Sequence, residues 1–293
     1  MNRQFAFLIC VFILSGQAAA ATNWKGVDEA LGRSGVVQAG DVHRYGFPRS
    51  DLDVSLDGVR IKPALALGSW LAFRDVGDHA EVMGDLVLTQ PEVNPVLSRL
   101  LQGGLTITAL HNHLLRSTPA TMYMHVHGMG DAVTLARSLR QALAASHTPT
   151  GTPTAAASEA ISLDTKALDA ALSAQGKVAG GTYQFSFPRA EQITEAGVAQ
   201  PPSPGLAIAV NFQPTAKRRA VATGDFVLIE PELTPVLTEL RQHGIEVTAL
   251  HNHLTSEQPR LFFMHFWGNG EALTLAQGLR AALDRMNLAH PAR

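Results

Sequence analysis

The sequence predicts an α+β protein made of one domain written twice, each copy holding a mixed or antiparallel sheet and about three helices. The duplication is visible because residues 84–114 and 224–254 share nineteen of thirty-one positions at a constant offset of 140. A segment at 146–158, rich in proline, glycine, threonine and alanine, separates the copies and has no apolar periodicity. Repeats of this length indicate duplicated domains, because the units of a solenoid recur roughly every 20–50 residues.

The elements of each copy follow in chain order from the spacing of its apolar residues. A short amphipathic helix opens the copies, at 25–33 and 164–174. Strand-like runs follow, at 65–73 and 79–88 in the first copy.

The next helix has the same start and stop signals in both copies. Asn94-Pro95 and Thr234-Pro235 predict an N-cap followed by proline, and Gly104 and Gly244 predict the helix ends. A strand and a returning strand come next, and a last helix closes the copy. Its apolar face has helical spacing and consists of Ala132, Leu135, Ala136, Leu139 and Leu143.

The first twenty residues have the pattern of a signal peptide. Arg3 precedes a short apolar run, and small residues ending at Ala20 form the site that signal peptidase reads. We therefore expect a periplasmic or secreted protein, and no later run is long and apolar enough for an integral membrane span. The predicted boundaries are 1–20 for the signal peptide, 22–145 for the first domain, 146–160 for the linker and 161–289 for the second domain.

Composition excludes several classes of protein and site. The only cysteine, Cys10, lies in the signal peptide, so the mature chain has no disulfides and no thiolate ligands. Removing Arg3 from the 23 lysines and arginines leaves 22 against 25 acidic residues, and no basic stripe indicates a nucleic-acid partner. Without a Gly-rich phosphate loop or a nucleophile elbow, no nucleotide cofactor and no serine nucleophile are expected.

Histidines are concentrated at matching places in the two copies. Along 105–113, strand alternation places Leu105, Ile107, Ala109, His111 and His113 on one face, as if a core strand emerged into a pocket. If the turn centres near Thr118, the returning strand brings His125 opposite His111.

Three imidazoles with an open position are typical of a zinc or copper site. The expected ligands are His111, His113, His125 and His127 in the first copy, and His251, His253 and His265 in the second. Trp267 replaces the fourth histidine of the second copy and could line a ligand pocket. A shift of one residue in the strand pairing would instead send His125 to the opposite face.

Carboxylates and arginines repeat as well. Glu92 and Glu232 precede a helix, where they either favour the helix dipole or act as metal ligand or general base. Asp85 and Asp225 either orient a histidine or mark a bulge in the strand.

Arg49 and Arg189, in Phe-Pro-Arg, either bind an anionic ligand or form a salt bridge with a neighbouring carboxylate. The sequence leaves both readings open.

The pattern TALHNHL, followed by Met-His and a glycine-flanked helix start, occurs twice and resembles the LppY/LpqO family of bacterial secreted proteins and lipoproteins. The resemblance covers nearly the whole mature chain. It implies export and a domain without an established function, and it supplies no catalytic residues.

Three functions remain open at this point. The first is an exported protein that binds zinc or copper, or a small ligand, through one histidine cluster in each repeat. The second is a metal-dependent hydrolase that uses the same histidines. The third is a non-catalytic module of the cell envelope in which the histidines serve structure alone.

Overall fold

The computed structural model describes residues 21–151, 160–201 and 205–289. The predicted signal peptide and most of the predicted linker lie outside these ranges. The chain folds as two similar α+β repeats, which confirms the predicted fold class.

The first repeat contains helices and strands in the following order: α1 (Trp24–Leu31), β1 (Val36–Gln38), β2 (Val42–Pro48), β3 (Ser55–Leu56), β4 (Val59–Arg60), α2 (Pro63–Ala66), β5 (Gly68–Val76), β6 (His79–Thr89), α3 (Gln90–Gln102), β7 (Thr106–His111), β8 (Thr121–Gly130) and α4 (Ala132–Leu143).

The second repeat has the same order except at two places: its described residues contain no counterpart of α2, and a 3₁₀ turn at Glu230–Glu232 precedes α6. Its elements are α5 (Thr165–Leu172), β9 (Lys177–Ala179), β10 (Thr182–Phe187), β11 (Thr194–Glu195), β12 (Val198–Ala199), β13 (Ile208–Ala216), β14 (Arg219–Leu228), α6 (Leu233–Gln242), β15 (Glu246–His251), β16 (Phe262–Glu271) and α7 (Ala272–Leu283).

Each repeat is built on a six-stranded antiparallel sheet. The strand order is β1-β2-β5-β6-β8-β7 in the first repeat and β9-β10-β13-β14-β16-β15 in the second. Short hairpins, β3-β4 and β11-β12, stand apart from the sheets. The returns from β7 and β15 carry cis peptide bonds at matching positions, Thr118-Pro119 and Gln258-Pro259.

One face of each sheet packs against helices. In the first repeat, Leu71, Val82 and Val126 join residues of α1, α3 and α4 in one core, and the second repeat has an equivalent core. The predicted apolar face of the closing helix α4 is confirmed, because all five of its residues are buried there.

The other faces of the two sheets meet each other, so that helices lie outside and the sheets lie in the middle. A third core lies between the repeats and consists of Val54, Leu56, Ile61, Leu65, Leu67, Val87, Leu114, Tyr123, Val221 and Trp267. Burial of these apolar side chains holds the two inner faces together.

The start predicted for the helix at Asn94-Pro95 is wrong, although the end predicted at Gly104 is right. In the first repeat α3 begins at Gln90, four residues before Asn94, and Pro95 lies inside it. The start is set by Glu92, whose carboxylate accepts a hydrogen bond from the Thr89 backbone N–H at 2.8 Å. At the other end Gly104 takes the left-handed conformation, φ 77°, that favours glycine there.

None of the helices in the described ranges is long and apolar enough to cross a membrane.

Candidate metal site between the repeats

A bulge in the histidine strand changes which way its side chains point. The pairing of β7 with β8 shifts between Ile107 and Ala109, so Ile107 lies with the helix-side core while Ala109 and His111 point to the other repeat. The prediction that these residues share one face is therefore wrong. One extra residue, Thr108, reverses the alternation. The second repeat has the same shift between Val247 and Ala249.

The register between the strands also differs from the prediction, by two residues. His125 lies opposite Ala109, and His111 lies opposite Tyr123. Because side-chain direction has a period of two, this shift keeps His125 on the same face as His111. The position of the turn sets this pairing, whereas the bulge changes only the pairing of the residues before Ala109. Neither feature has a signature in composition.

The six histidines that point inward form one cluster shared by both repeats. Ring centroids are 3.5 Å apart for His111 and His251. They are 3.6 Å apart for His113 and His265, and 3.6 Å for His125 and His253. Rings within the first repeat are farther apart, with 5.1 Å between His111 and His113 and 5.0 Å between His111 and His125. The sequence predicted a cluster in each repeat, and the structure joins the two into one.

The contacts across the cluster are reciprocal. His113 stacks on His265, which is the counterpart of His125 in the second repeat. His125 stacks on His253, which is the counterpart of His113. Such exchange is the property of an isologous interface, so an approximate twofold axis passes between His111 and His251.

Hydrogen bonds orient some of the rings toward the cluster. His111 Nδ1 lies 3.2 Å from the Asn112 carbonyl, and His265 Nδ1 lies 3.1 Å from the Gly224 carbonyl. A ring nitrogen facing a carbonyl carries the proton, which leaves the Nε2 lone pair free. The Nε2 atoms of both histidines are buried and have no hydrogen-bond partner among the described residues.

Two aspartates complete the cluster. Asp85 Oδ2 lies 4.0 Å from His113 Nε2, and its Oδ1 lies 3.9 Å from His125 Nε2. Asp225 Oδ1 lies 3.7 Å from His265 Nδ1. Both aspartates occupy regular strand positions without a bulge, so the strand places their side chains between the histidines.

The glycine before Asp225 is required by close strand packing. A Cβ atom at Gly224 would collide with the Ala209 carbonyl oxygen of the neighbouring strand. Glycine therefore lets β13 approach β14 at the point where Asp225 turns toward the cluster.

Burial sets the charge state of the cluster. It lowers the pKa of His111 to about 4 and that of His251 to about 3, so both rings are neutral at pH 7. Burial also lowers the pKa of the other four histidines well below the usual value. The pKa of Asp85 rises to about 7 for the same reason. Neutral imidazole is the form that binds a metal.

Among the described residues, four sets of side chains bring their ligand atoms within 4.8 Å of one another. Two sets combine histidines from both repeats: His111, His113 and His265, and His111, His125, His251 and His253. Two sets belong to one repeat each: Asp85, His113 and His125, and Asp225, His253 and His265. Below, "the histidine–aspartate cluster" means these six histidines and two aspartates.

His127, a predicted ligand, belongs to none of these sets. Its Nε2 lies 3.0 Å from Glu81 Oε1, away from the cluster. At the matching position Trp267 is buried in the core between the repeats, and its Nε1 donates to Asp57 Oδ2 at 3.1 Å.

Glu92 and Glu232 also belong to none of the sets. The carboxylate of Glu92 accepts hydrogen bonds from Arg49 at 2.9 and 3.1 Å, and Glu232 accepts from Arg189 at 2.7 and 3.0 Å. Each arginine also donates to a strand carbonyl, that of Val87 in the first repeat. These donors and acceptors thus tie a helix start to the sheet, which matches the structural alternative for both pairs.

Two residues beside the cluster went unnoticed in the sequence. Arg44 and Trp70 face the space between the repeats, next to Asp85 and His125. The signal that could have found Arg44 is a difference between the copies, because the offset of 140 aligns it with Gln184.

The family model for a domain of unknown function, DUF1259, matches residues 25–145 and 166–285. The chain belongs to this family. The two matches coincide with the two repeats, so this DUF1259 protein carries the domain in tandem. No curated protein matches the sequence significantly.

Two solved structures resemble the chain distantly. They are a trimeric bacterial microcompartment shell protein PduB and EtuB from Clostridium kluyveri. Each is 12% identical, with 86% of this chain and 91% of the other chain covered and a TM-score of 0.20. Likeness at this level supports no statement about the DUF1259 protein.

Proposed function

We propose that this DUF1259 protein is exported, is of the LppY/LpqO type, and binds zinc or copper at the histidine–aspartate cluster. The observation that carries the proposal is the crossed pairing of the rings, which gathers six neutral imidazoles at one buried place. Several of their nitrogens have no hydrogen-bond partner among the described residues, including Nε2 of His111, His113, His125 and His265. Leaving so many polar atoms unpaired costs free energy, and a bound cation would offset that cost.

The proposed ligands come from both repeats. Histidines of different repeats approach to 3.5–3.6 Å between ring centroids, whereas His111 is 5.0–5.1 Å from the others of its own repeat. One site is formed by His111, His113 and His265, and its mate by His251, His253 and His125. Because the twofold relation exchanges these sites, the ions come in a pair, about two per chain.

Metal content of the purified full-length protein, measured by mass spectrometry, tests the proposal. Less than about a tenth of an equivalent of zinc or copper after reconstitution would refute it. The exposed His79 lies in the first repeat away from the cluster, so His79→Ala serves as the matched control.

Two double substitutions distinguish crossed sites from sites within one repeat. His113→Ala with His265→Ala removes ligands from one crossed site, and about one equivalent should remain. His113→Ala with His125→Ala removes a ligand from each crossed site, and both ions should be lost. The opposite result would place the ions with Asp85 and Asp225, one in each repeat. Circular dichroism checks that each variant is folded.

Export is tested on the same protein. We expect the periplasmic or secreted form to begin near residue 21, as measured by intact mass. A chain that keeps residues 1–20 and stays in the cytoplasm would contradict this part of the proposal.

A further inference from the structure

A large cavity lies between the repeats and leads to the histidine–aspartate cluster. Its volume is about 1140 Å³, far more than a metal ion needs and comparable with sites for small organic molecules. The inner end is formed by Asp85, His113 and His253. Most of the wall is apolar, and Leu65 of the first repeat and Phe185 of the second are among the residues that line it.

A half-buried cation, Arg44, lies on this wall beside the ring of Trp70. Arg44 is half-buried on β2, and its guanidinium makes no hydrogen bond and no salt bridge to the described residues. Its guanidinium carbon lies 5.6 Å from the ring centroid of Trp70. Asp85 attracts it from farther away, and burial lowers its pKa, as expected for a charge without a close counterion.

The three arginines that are buried among the described residues, Arg33, Arg49 and Arg189, each have a carboxylate or carbonyl partner. Arg49 pairs with Glu92 and Arg189 pairs with Glu232. Arg33, which also borders the cavity, donates to the carbonyls of Gly46, Pro149 and Gly151. A buried guanidinium usually needs such partners, so the state of Arg44 points to a ligand that supplies them.

The second repeat has no arginine at the position that matches Arg44, and the lysine that it contributes to the cavity, Lys177, is exposed. Gln184 occupies the matching position, and its Nε2 donates to the Ala64 carbonyl at 2.9 Å and to Thr182 Oγ1 at 3.0 Å. The cavity is therefore asymmetric, although the metal ligands are symmetric.

We propose that the cavity binds a small aromatic carboxylate, whose carboxylate pairs with Arg44 and whose ring packs against Trp70 and the apolar wall. A single guanidinium matches the charge and the flat fork of one carboxylate. Arg44 and Trp70 are not among the metal ligands, although the cavity ends at the cluster, so the proposal goes beyond the function proposed above.

Benzoate is the probe, with benzyl alcohol as its uncharged counterpart, and calorimetric titration of the full chain is the measurement. Titrations with a chelator present ensure that any binding reflects Arg44 and not a metal ion. We expect saturable benzoate binding that weakens at least about tenfold in Arg44→Gln, which copies the residue of the second repeat. Benzyl alcohol should bind more weakly than benzoate and be indifferent to the substitution.

Arg60→Gln is the matched control, because Arg60 is exposed and pairs with Asp53. It should leave benzoate binding unchanged. Equal benzoate affinity of the wild type and Arg44→Gln, or no saturable binding up to about 10 mM, would overturn the proposal. Metal content of the same preparations is measured in parallel, so a failure of metal binding is seen separately.

Discussion

Replacing Glu92 with glutamine removes one of the two carboxylates that pair with the fully buried guanidinium of Arg49, the other being that of Asp51. The side chain of Arg49 is 0% exposed and that of Glu92 is 5% exposed. Glutamine has nearly the same shape and can still accept a hydrogen bond. The substitution therefore leaves the packing largely intact and tests the charge itself.

The magnitude follows from the pKa of Glu92. Burial alone raises it, but hydrogen bonds from Arg49 and from the backbone of His147 and Thr89 outweigh burial and bring the pKa to about 2. Lowering a pKa from 4.5 to about 2 corresponds to about 3 kcal/mol of stability, at roughly 1.4 kcal/mol per pH unit. Breaking buried ion pairs by removing one partner costs a similar roughly 3–5 kcal/mol.

The sign of the pH dependence is fixed by the same numbers. A carboxyl group whose pKa is lowered by folding stabilises the folded state at pH values above its pKa in the unfolded chain. This stabilisation is lost as the pH falls from about 4.5 to about 2. The wild type should therefore exceed Glu92→Gln in free energy of unfolding by about 3 kcal/mol at pH 7. The difference should shrink below pH 4.5.

Urea denaturation followed by circular dichroism measures the free energy of unfolding of both proteins. Glu29→Gln is the control, because Glu29 is exposed and its contact with Lys25 is 3.8 Å long. A loss below about 1 kcal/mol in Glu92→Gln would refute the structural role. So would loss of metal with unchanged stability, because Glu92 would then act at the cluster.

Three further predictions concern the site and the sheet. His127→Ala should keep the full metal content by mass spectrometry, because this histidine lies outside every ligand set; loss of an ion would show that the sets are wrong. Gly224→Ala should lower the free energy of unfolding by about 2 kcal/mol or more, or prevent folding, because the new Cβ would collide with the Ala209 carbonyl. An unchanged urea midpoint would show that the two strands do not pack this closely. In metal-free protein, His111 and His251 bind a proton more weakly in the folded state than in the unfolded chain, because their pKa values are lowered. The free energy of unfolding should therefore fall by about 1 kcal/mol or more for each histidine as the pH falls from about 6.5 toward 4. Urea denaturation of the metal-free variant with both His111→Ala and His251→Ala should show a flatter dependence of stability on pH, and an unchanged dependence would count against this.

Local signals in the sequence were sufficient for the repeats and for several elements. The spacing of apolar residues in α4 places all five predicted side chains in the core. Gly104 ends α3 because the left-handed conformation favours glycine. The duplication itself needed only comparison of residues 84–114 with 224–254.

Features that depend on an extra residue or on contact between distant segments could not be predicted. The bulge at Thr108 leaves no mark in composition, yet it decides which face His111 occupies. The sequence allows Glu92 to be a general base, and only the fold shows that its carboxylate is hydrogen-bonded to Arg49. Whether two histidine clusters meet depends on how the sheets pack, which no local pattern encodes.

The twofold relation has a consequence for how such a protein can vary. A half-length chain of this kind would complete the cluster only by pairing with a second copy, and each change would then appear on both sides. When the halves are joined in one chain, their sequences can change independently, so position 44 can be arginine while position 184 is glutamine. Covalent linkage thus lets a symmetric set of histidines border a chamber whose two walls differ.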